Sequence, residues 1–320
     1  MGVDFSSYGT PRADLGEALH EFVVGQDSFI ATKLFPLTPV TKKAANYPVV
    51  TRKSLLARAE TRRAARSGYN RTNFQTEDKN YNCEENGLEG QLDASERTLY
   101  KNDFDAEMET SKDILMKLLR EQEIRVASAV MTETLFDDST VFAHCNAAWA
   151  TNTTDIIKDV AAAKLRGFNL TGMELNMLTI SRTTLNSLML NTKILDAIRY
   201  VQGAEWGQIK AALASILGVE QILVGGGVYD TKPEGATAFL GGAIWSNTYA
   251  LLSITPATGS IIQPSLGRTF QWVDEAPENA VVESYDEPQT RSTVFRVRQF
   301  TDEAVIEKQF GQLIDVTATS

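Results

Sequence analysis

From Asp103 to Leu135 the chain carries neither glycine nor proline, and its apolar residues include Phe104, Met108, Leu115, Leu118, Leu119, Val126, Ala129 and Val130, with Phe136 just beyond. Steps of three, four and seven place these side chains on one helical stripe. Asp103, Asp105, Glu107 and Glu109 crowd the start, where the positive end of the helix dipole favours acids. Lys117 with Glu121, and Glu121 with Arg125, are i,i+4 pairs on the polar side. The pattern predicts a rod helix over Asp103–Leu135, on the order of 45 Å long.

Upstream the pattern is different. The first forty residues scatter short apolar clusters among turn formers, including Pro11, Pro36 and Pro39, and predict an extended arm with one short helix near Leu15–Val24. Its clusters, Phe22–Val24 and then Phe29, Ile30, Leu34 and Phe35, are expected to need a partner surface. Residues 42–82 hold few large apolar side chains and read as a projecting basic loop. Downstream of a loop with His144, Cys145 and Trp149, short elements alternate. Helices are predicted near Asp155–Leu165, Thr183–Tyr200 and Trp206–Leu217, and strands at Met177–Ser181 and Gln221–Val224, which together make an α/β block. Beyond Ile244 the segments 244–255, 260–273, 292–300 and 304–316 are rich in β-branched and aromatic residues and predict strands. The fold class is α+β, without an internal repeat.

The 320 residues, 43% hydrophobic and 22% charged, exclude a disordered or collagen-like chain. No apolar run approaches the roughly 20 residues of a membrane span, and nothing near Met1 reads as a secretory signal. Thirty-one basic against 41 acidic residues leave a net charge of −10, which argues against a dedicated nucleic-acid reader. Cys83 and Cys145 are the only cysteines, too few for a disulfide framework, and are expected to be reduced packing residues.

A search for chemistry yields little. Gly225, Gly226 and Gly227 follow a predicted strand, but Asp230 stands where a dinucleotide fingerprint needs a third glycine, so a turn is the better reading. The two histidines, His20 and His144, are far apart, and His144 beside Cys145 lacks an orienting partner for a thiolate nucleophile. Acidic pairs such as Asp137–Asp138 and Glu84–Glu85 read as solvated surface. No catalytic, cofactor or metal site is expected.

The order of these parts, more than any one motif, carries a resemblance. It lies in Phe29–Pro36 with Pro39 and Val40, in Tyr81–Tyr100 leading into a rod with Leu119–Glu121, in Gln221–Gly227, in Ile244–Trp245, and in Gly267–Trp272. Over nearly its whole length the chain resembles the major capsid proteins of tailed bacteriophages, with the Hong Kong 97-type fold. That resemblance implies an N-terminal arm over residues 1–41, an extended loop over 42–82, a peripheral domain with the spine helix over 83–154, an axial domain over 155–257, and further peripheral strands over 258–320. It implies a non-enzymatic shell protein that assembles with itself in pentamers and hexamers to enclose double-stranded DNA without sequence-specific binding, in a virion put together in the host cytoplasm. A portal protein is an implied partner, a decoration protein a possible one. The arm begins within the first twenty or so residues, which implies a separate scaffolding protein or none. Lys53 and Asn279 are formal candidates for the isopeptide crosslink some members form. An encapsulin-type compartment and a metabolic α/β enzyme are the alternatives.

One further expectation comes from charge. Residues 52–71 carry Arg52, Lys53, Arg58, Arg62, Arg63, Arg66 and Arg71 against Glu60 alone, whereas residues 274–287 carry Asp274, Glu275, Glu278, Glu283, Asp286 and Glu287 with no base. Opposite blocks on one chain suggest contacts between copies, with Arg52, Lys53, Arg58, Arg62, Arg63 and Arg66 facing Glu275, Glu278 and Glu283.

Overall fold

In the computed structural model the long helix runs over Ala106–Val130, 25 residues, which is about 37 Å. It is described together with residues 10–12, 15, 19, 29–50, 52–71, 76–100, 105–198, 206–232, 237–238, 240–256, 263–276 and 280–317. The Asp105 carboxylate caps its start, accepting from the backbone N–H groups of Glu107 and Met108. The helix ends at Met131, short of the predicted Leu135, because Thr132 turns its hydroxyl onto the N–H of Thr134 and competes with the helical ladder. Ile114, Leu115, Leu118, Leu119, Val126 and Val130 form its buried stripe, as the spacing predicts.

The strands, in chain order, are Thr10–Pro11 (β1), Leu37–Val40 (β2), Ala44–Val49 (β3), Glu77–Asn82 (β4), Glu84–Asp93 (β5), Phe142–His144 (β6), Met177–Ser181 (β7) and Gln221–Gly225 (β8). They continue with Val228–Asp230 (β9), Gly241–Ala243 (β10), Tyr249–Ser253 (β11), Gly267–Trp272 (β12), Val281–Glu287 (β13), Ser292–Val305 (β14) and Gly311–Asp315 (β15). The first sheet is organised on β14, whose 14 residues pair antiparallel with β12, β13 and β5. Thr301 faces both Gln271 and Glu84, so β12 and β5 lie on opposite sides of β14. The long helix packs on one face of this sheet, burying Leu92, Phe295 and Val297 against Leu115 and Leu118. On the other face Tyr47 and Tyr81, from the β3–β4 ribbon, close over Phe270 and Phe300.

The second sheet has the order β6-β15-β11-β7-β8. The helices Ile156–Thr171, Arg182–Leu190, Thr192–Ile198 and Trp206–Leu217 belong to this α/β block. Ile156, Leu185, Ile194 and Leu213 share its core with strand residues such as Leu178 and Leu252. The helix predicted over Thr183–Tyr200 is two helices, because the buried Asn191 caps the second one with its side-chain oxygen, accepting from Lys193 and Ile194 N–H. Among the described residues no helix is long and apolar enough to cross a membrane.

Three expected boundaries are corrected. The C-terminal strand β15 pairs with β11 and β6, so it completes the sheet of the α/β block and not the peripheral set assigned to 258–320. Likewise β6 belongs to that sheet and not to the unit 83–154. The third concerns the arm 1–41, whose second half is built into its own chain. Here β2 pairs in parallel with β12, and Ile30, Leu34 and Phe35 are buried with Val126, Val130, Phe136 and Trp245.

Candidate functional site

The basic loop leaves the molecule between β3 and β4. Lys53, Arg58, Arg62, Arg63, Arg66 and Arg71 are all exposed, and none of them makes an ion pair among the described residues. Arg52 begins a short helix, Arg52–Leu55, and its side chain lies outside the described residues. The tip has a little structure of its own. Arg63 Nε donates to the Ser67 carbonyl at 2.7 Å, its guanidinium stands 4.5 Å from the Tyr69 ring centroid, and Asn70 Nδ2 donates to the Glu60 carbonyl at 2.8 Å. Arg66 sits at φ 67°, a left-handed conformation that costs a non-glycine residue about 1–2 kcal/mol. Tyr69 is 78% exposed.

The acidic block does not match the expectation. Glu283 is buried, accepting from Arg298 Nε at 3.0 Å and Nη2 at 2.7 Å, and Arg296 Nη1 lies 3.6 Å away. Glu275 accepts from Arg298 Nη1 at 3.3 Å. Two of the three acids assigned to contacts between copies are thus neutralised inside their own chain, and Glu278 lies outside the described residues, as does Asn279. The alternation of β13 turns Glu283 towards its cross-strand neighbour Arg296.

Asp274 and Asp286 of that block stay exposed and without an ion pair among the described residues, and further acids of this kind lie elsewhere. Glu77 and Asp78 on β4, with Glu84 and Glu85 on β5, are exposed and have no ion-pair partner among the described residues. Beside them the Asp302 carboxyl is pushed above its ordinary value by burial and by the negative charges of Glu303 and Glu84, although Asn82 N–H donates to it at 2.8 Å. Their sequence signal was the pair Glu84–Glu85. Counting charge alone could not separate it from the other acidic pairs.

Among the described residues no group of three or more His, Cys, Asp and Glu side chains is arranged to hold a metal. Cys145 is buried and its thiol is pushed up to about 11, by burial first and then by Asp159 and Asp315. The adjacent His144 faces Asp315 instead, Nδ1 to Oδ2 at 3.2 Å. Gly225 closes β8 because a Cβ there would lie 2.1 Å from Trp245 Cδ1, so close packing explains this glycine without a phosphate.

Sequence comparison finds no matching family model and no matching curated protein. Structural comparison finds a phage-related protein from Bordetella bronchiseptica RB50, with TM-score 0.73 and 21% identity over 96% of this chain and 98% of that one. The capsid structure of cyanophage P-SCSP1u matches with TM-score 0.58 and 12% identity, over 90% of this chain and 87% of that one. A virus-like particle from Pyrococcus furiosus matches with TM-score 0.55 and 9% identity, over 95% and 98%. The chain therefore has the Hong Kong 97-type capsid fold along almost its whole length.

Proposed function

We propose that this chain is a major capsid protein, a structural subunit that assembles with copies of itself into the icosahedral head of a double-stranded DNA bacteriophage. The observation that carries the reading is the capsid fold over 90% or more of the chain, from which an exposed loop projects with six cations that make no ion pair among the described residues. A loop of that kind contributes nothing to the core that built it and is suited to contact another molecule.

On this reading the first partner is the chain itself, in pentamers and hexamers. A portal protein, a scaffolding protein and a decoration protein are the further partners such a shell would use. The net charge of −10 suits a wall that encloses DNA without binding its bases, since like charge keeps a packaged polyanion from adhering. The subunit is read as non-enzymatic and as resident in the virion.

Electron microscopy of the purified chain is the test. Closed round shells support the proposal, and particles of only a few subunits at assembly concentrations overturn it. Contents then separate the variants of the reading, because DNA in native particles marks a phage head and protein cargo marks an encapsulin-type compartment.

A further inference from the structure

We propose that the free edge of β8 is a docking site for an extended segment of a different protein, acidic at one end, apolar in the middle and basic at the other. The site is remote in the sequence from the basic loop, and the proposal stands whether or not the chain assembles into shells.

β8 closes the second sheet on one side, and among the described residues only β7 pairs with it. Gln221 directs its N–H to the Asn176 carbonyl next to β7, so by alternation residues 222 and 224 direct theirs away from the sheet. The side chains alternate as well. Ile222 and Val224 join the core with Leu213 and Ala214 of the helix Trp206–Leu217, whereas Leu223 joins Ile30 and Leu34 of the arm. Helix and arm therefore stand on opposite faces of the sheet and flank its last strand. Between them lies a cleft of about 250 Å³, lined by Ile30 and Lys33, by Lys210, Ala211 and Ala214, and by residues 220–224. An open strand edge offers main-chain donors and acceptors to a further strand, and here the walls add apolar contact.

The charges give the cleft a direction. The chain reverses at Gly218, φ 65°, between helix and strand. Seven helical residues from Lys210 to Leu217 and three strand residues from Gln221 to Val224 each cover about 10 Å, so Lys210 stands at the Val224 end and Glu220 at the other. Lys210 makes no ion pair among the described residues, and Glu220 accepts from the Asn176 amide at 3.3 Å without a cation among them. A guest with its acid at Lys210 and its base at Glu220 is attracted at both ends, and the reversed guest meets like charge twice. Exposed pairs are weak, so main-chain pairing holds the guest and the charges choose its orientation. The exposed strand β9 of a second copy does not match, since its Asp230 and the following Lys232 are only two residues, about 7 Å, apart.

The test uses the purified full chain and two fluorescent peptides with blocked termini, Gly-Asp-Val-Thr-Lys-Gly and Gly-Lys-Val-Thr-Asp-Gly, one for each strand direction, read by anisotropy. Saturable binding of one peptide is expected, about fivefold weaker when its Asp is replaced by Lys. Lys210→Glu should reverse that preference. Ala211→Trp, at an exposed helix position that lines the cleft, should abolish binding with unchanged circular dichroism. No saturable binding of either peptide up to about 1 mM, or binding that survives Ala211→Trp, overturns the proposal. So does a changed oligomeric state of Ala211→Trp when wild type binds neither peptide, which marks the cleft as a contact between copies. Each of these results leaves the shell reading intact.

Discussion

Trp245 donates its indole N–H to the Glu123 carboxylate at 2.6 Å, and neither side chain is exposed to water. The same carboxylate accepts from the backbone N–H of Ile30 at 2.9 Å and of Ala31 at 2.8 Å. One buried group on the long helix therefore ties together the arm and the segment that follows β10. Burial pushes the carboxyl above its ordinary value, while these three donors and, more distantly, Lys33 pull the other way.

Glu123→Gln keeps the size of the side chain but turns an amide N–H₂ towards a ring of donors. At least one buried N–H then loses its acceptor, at a cost of about 1–3 kcal/mol. The expected outcome is a lower Tm in thermal unfolding, with Trp245→Phe causing a smaller loss and the double variant losing less than the sum. Additive losses would show that Trp245 and Glu123 do not act as a unit.

Asp302 gives a pH-dependent prediction with a definite sign. Its folded pKa is raised, chiefly by burial, so the folded chain binds this proton more readily than the unfolded chain, and the ionised carboxylate is the costly form. Asp302→Asn keeps an oxygen for the Asn82 N–H and removes that cost. The variant should match wild type at acid pH, where Asp302 is protonated in both states, and gain in Tm over wild type as pH rises through the folded pKa. A variant less stable than wild type at neutral pH would mean that the charge is needed.

The thiols supply a third. Cys83 is buried and pushed up to about 11 by burial, with Asp302 and Glu303 adding to it, and Cys145 stands at about 11 for similar reasons. Because thiolate is the reactive form, neither should react with a water-soluble disulfide reagent at about pH 8 in the folded chain. Both should react on unfolding. Fast labelling of the native protein would contradict the burial of these two residues.

How far the sequence could be read depended on whether an element carried its own signal. Leu115, Leu118 and Leu119 announce the long helix by spacing alone, and Met177–Ser181 and Trp206–Leu217 fall where the pattern puts them. β5 announces nothing, since Glu84–Asp93 offers only Leu88 and Leu92 as large apolar residues and is a strand because β14 lies beside it. The placement of β15 next to β11 is likewise a long-range pairing with no local trace. For the candidate site, the loop's charge was legible because its side chains stay in solvent. For the acidic block, charge counts do not reveal which carboxylates an arginine such as Arg298 already holds within the chain.

The arm carries the last prediction, and it reverses what its sequence suggests. Scattered apolar clusters among prolines imply a detachable strap, so that deleting Met1–Val40 would leave a folded subunit unable to assemble. Yet Leu34 and Phe35 are 1% and 0% exposed within their own chain, and β2 hydrogen-bonds along β12. The Phe35 ring occupies the space above Gly267, where a Cβ would lie 2.1 Å from Cζ, so strand and ring are fitted to each other. Losing one such buried aromatic costs about 3–5 kcal/mol, and the deletion also removes Ile30, Leu34 and one sheet strand, against a total stability of about 5–15 kcal/mol. Deleting residues 1–40 should therefore abolish cooperative thermal unfolding or yield insoluble protein, and Phe35→Ala alone should lower Tm sharply. A soluble deletion variant with a sharp unfolding transition near the wild-type Tm would show that this segment is a strap after all.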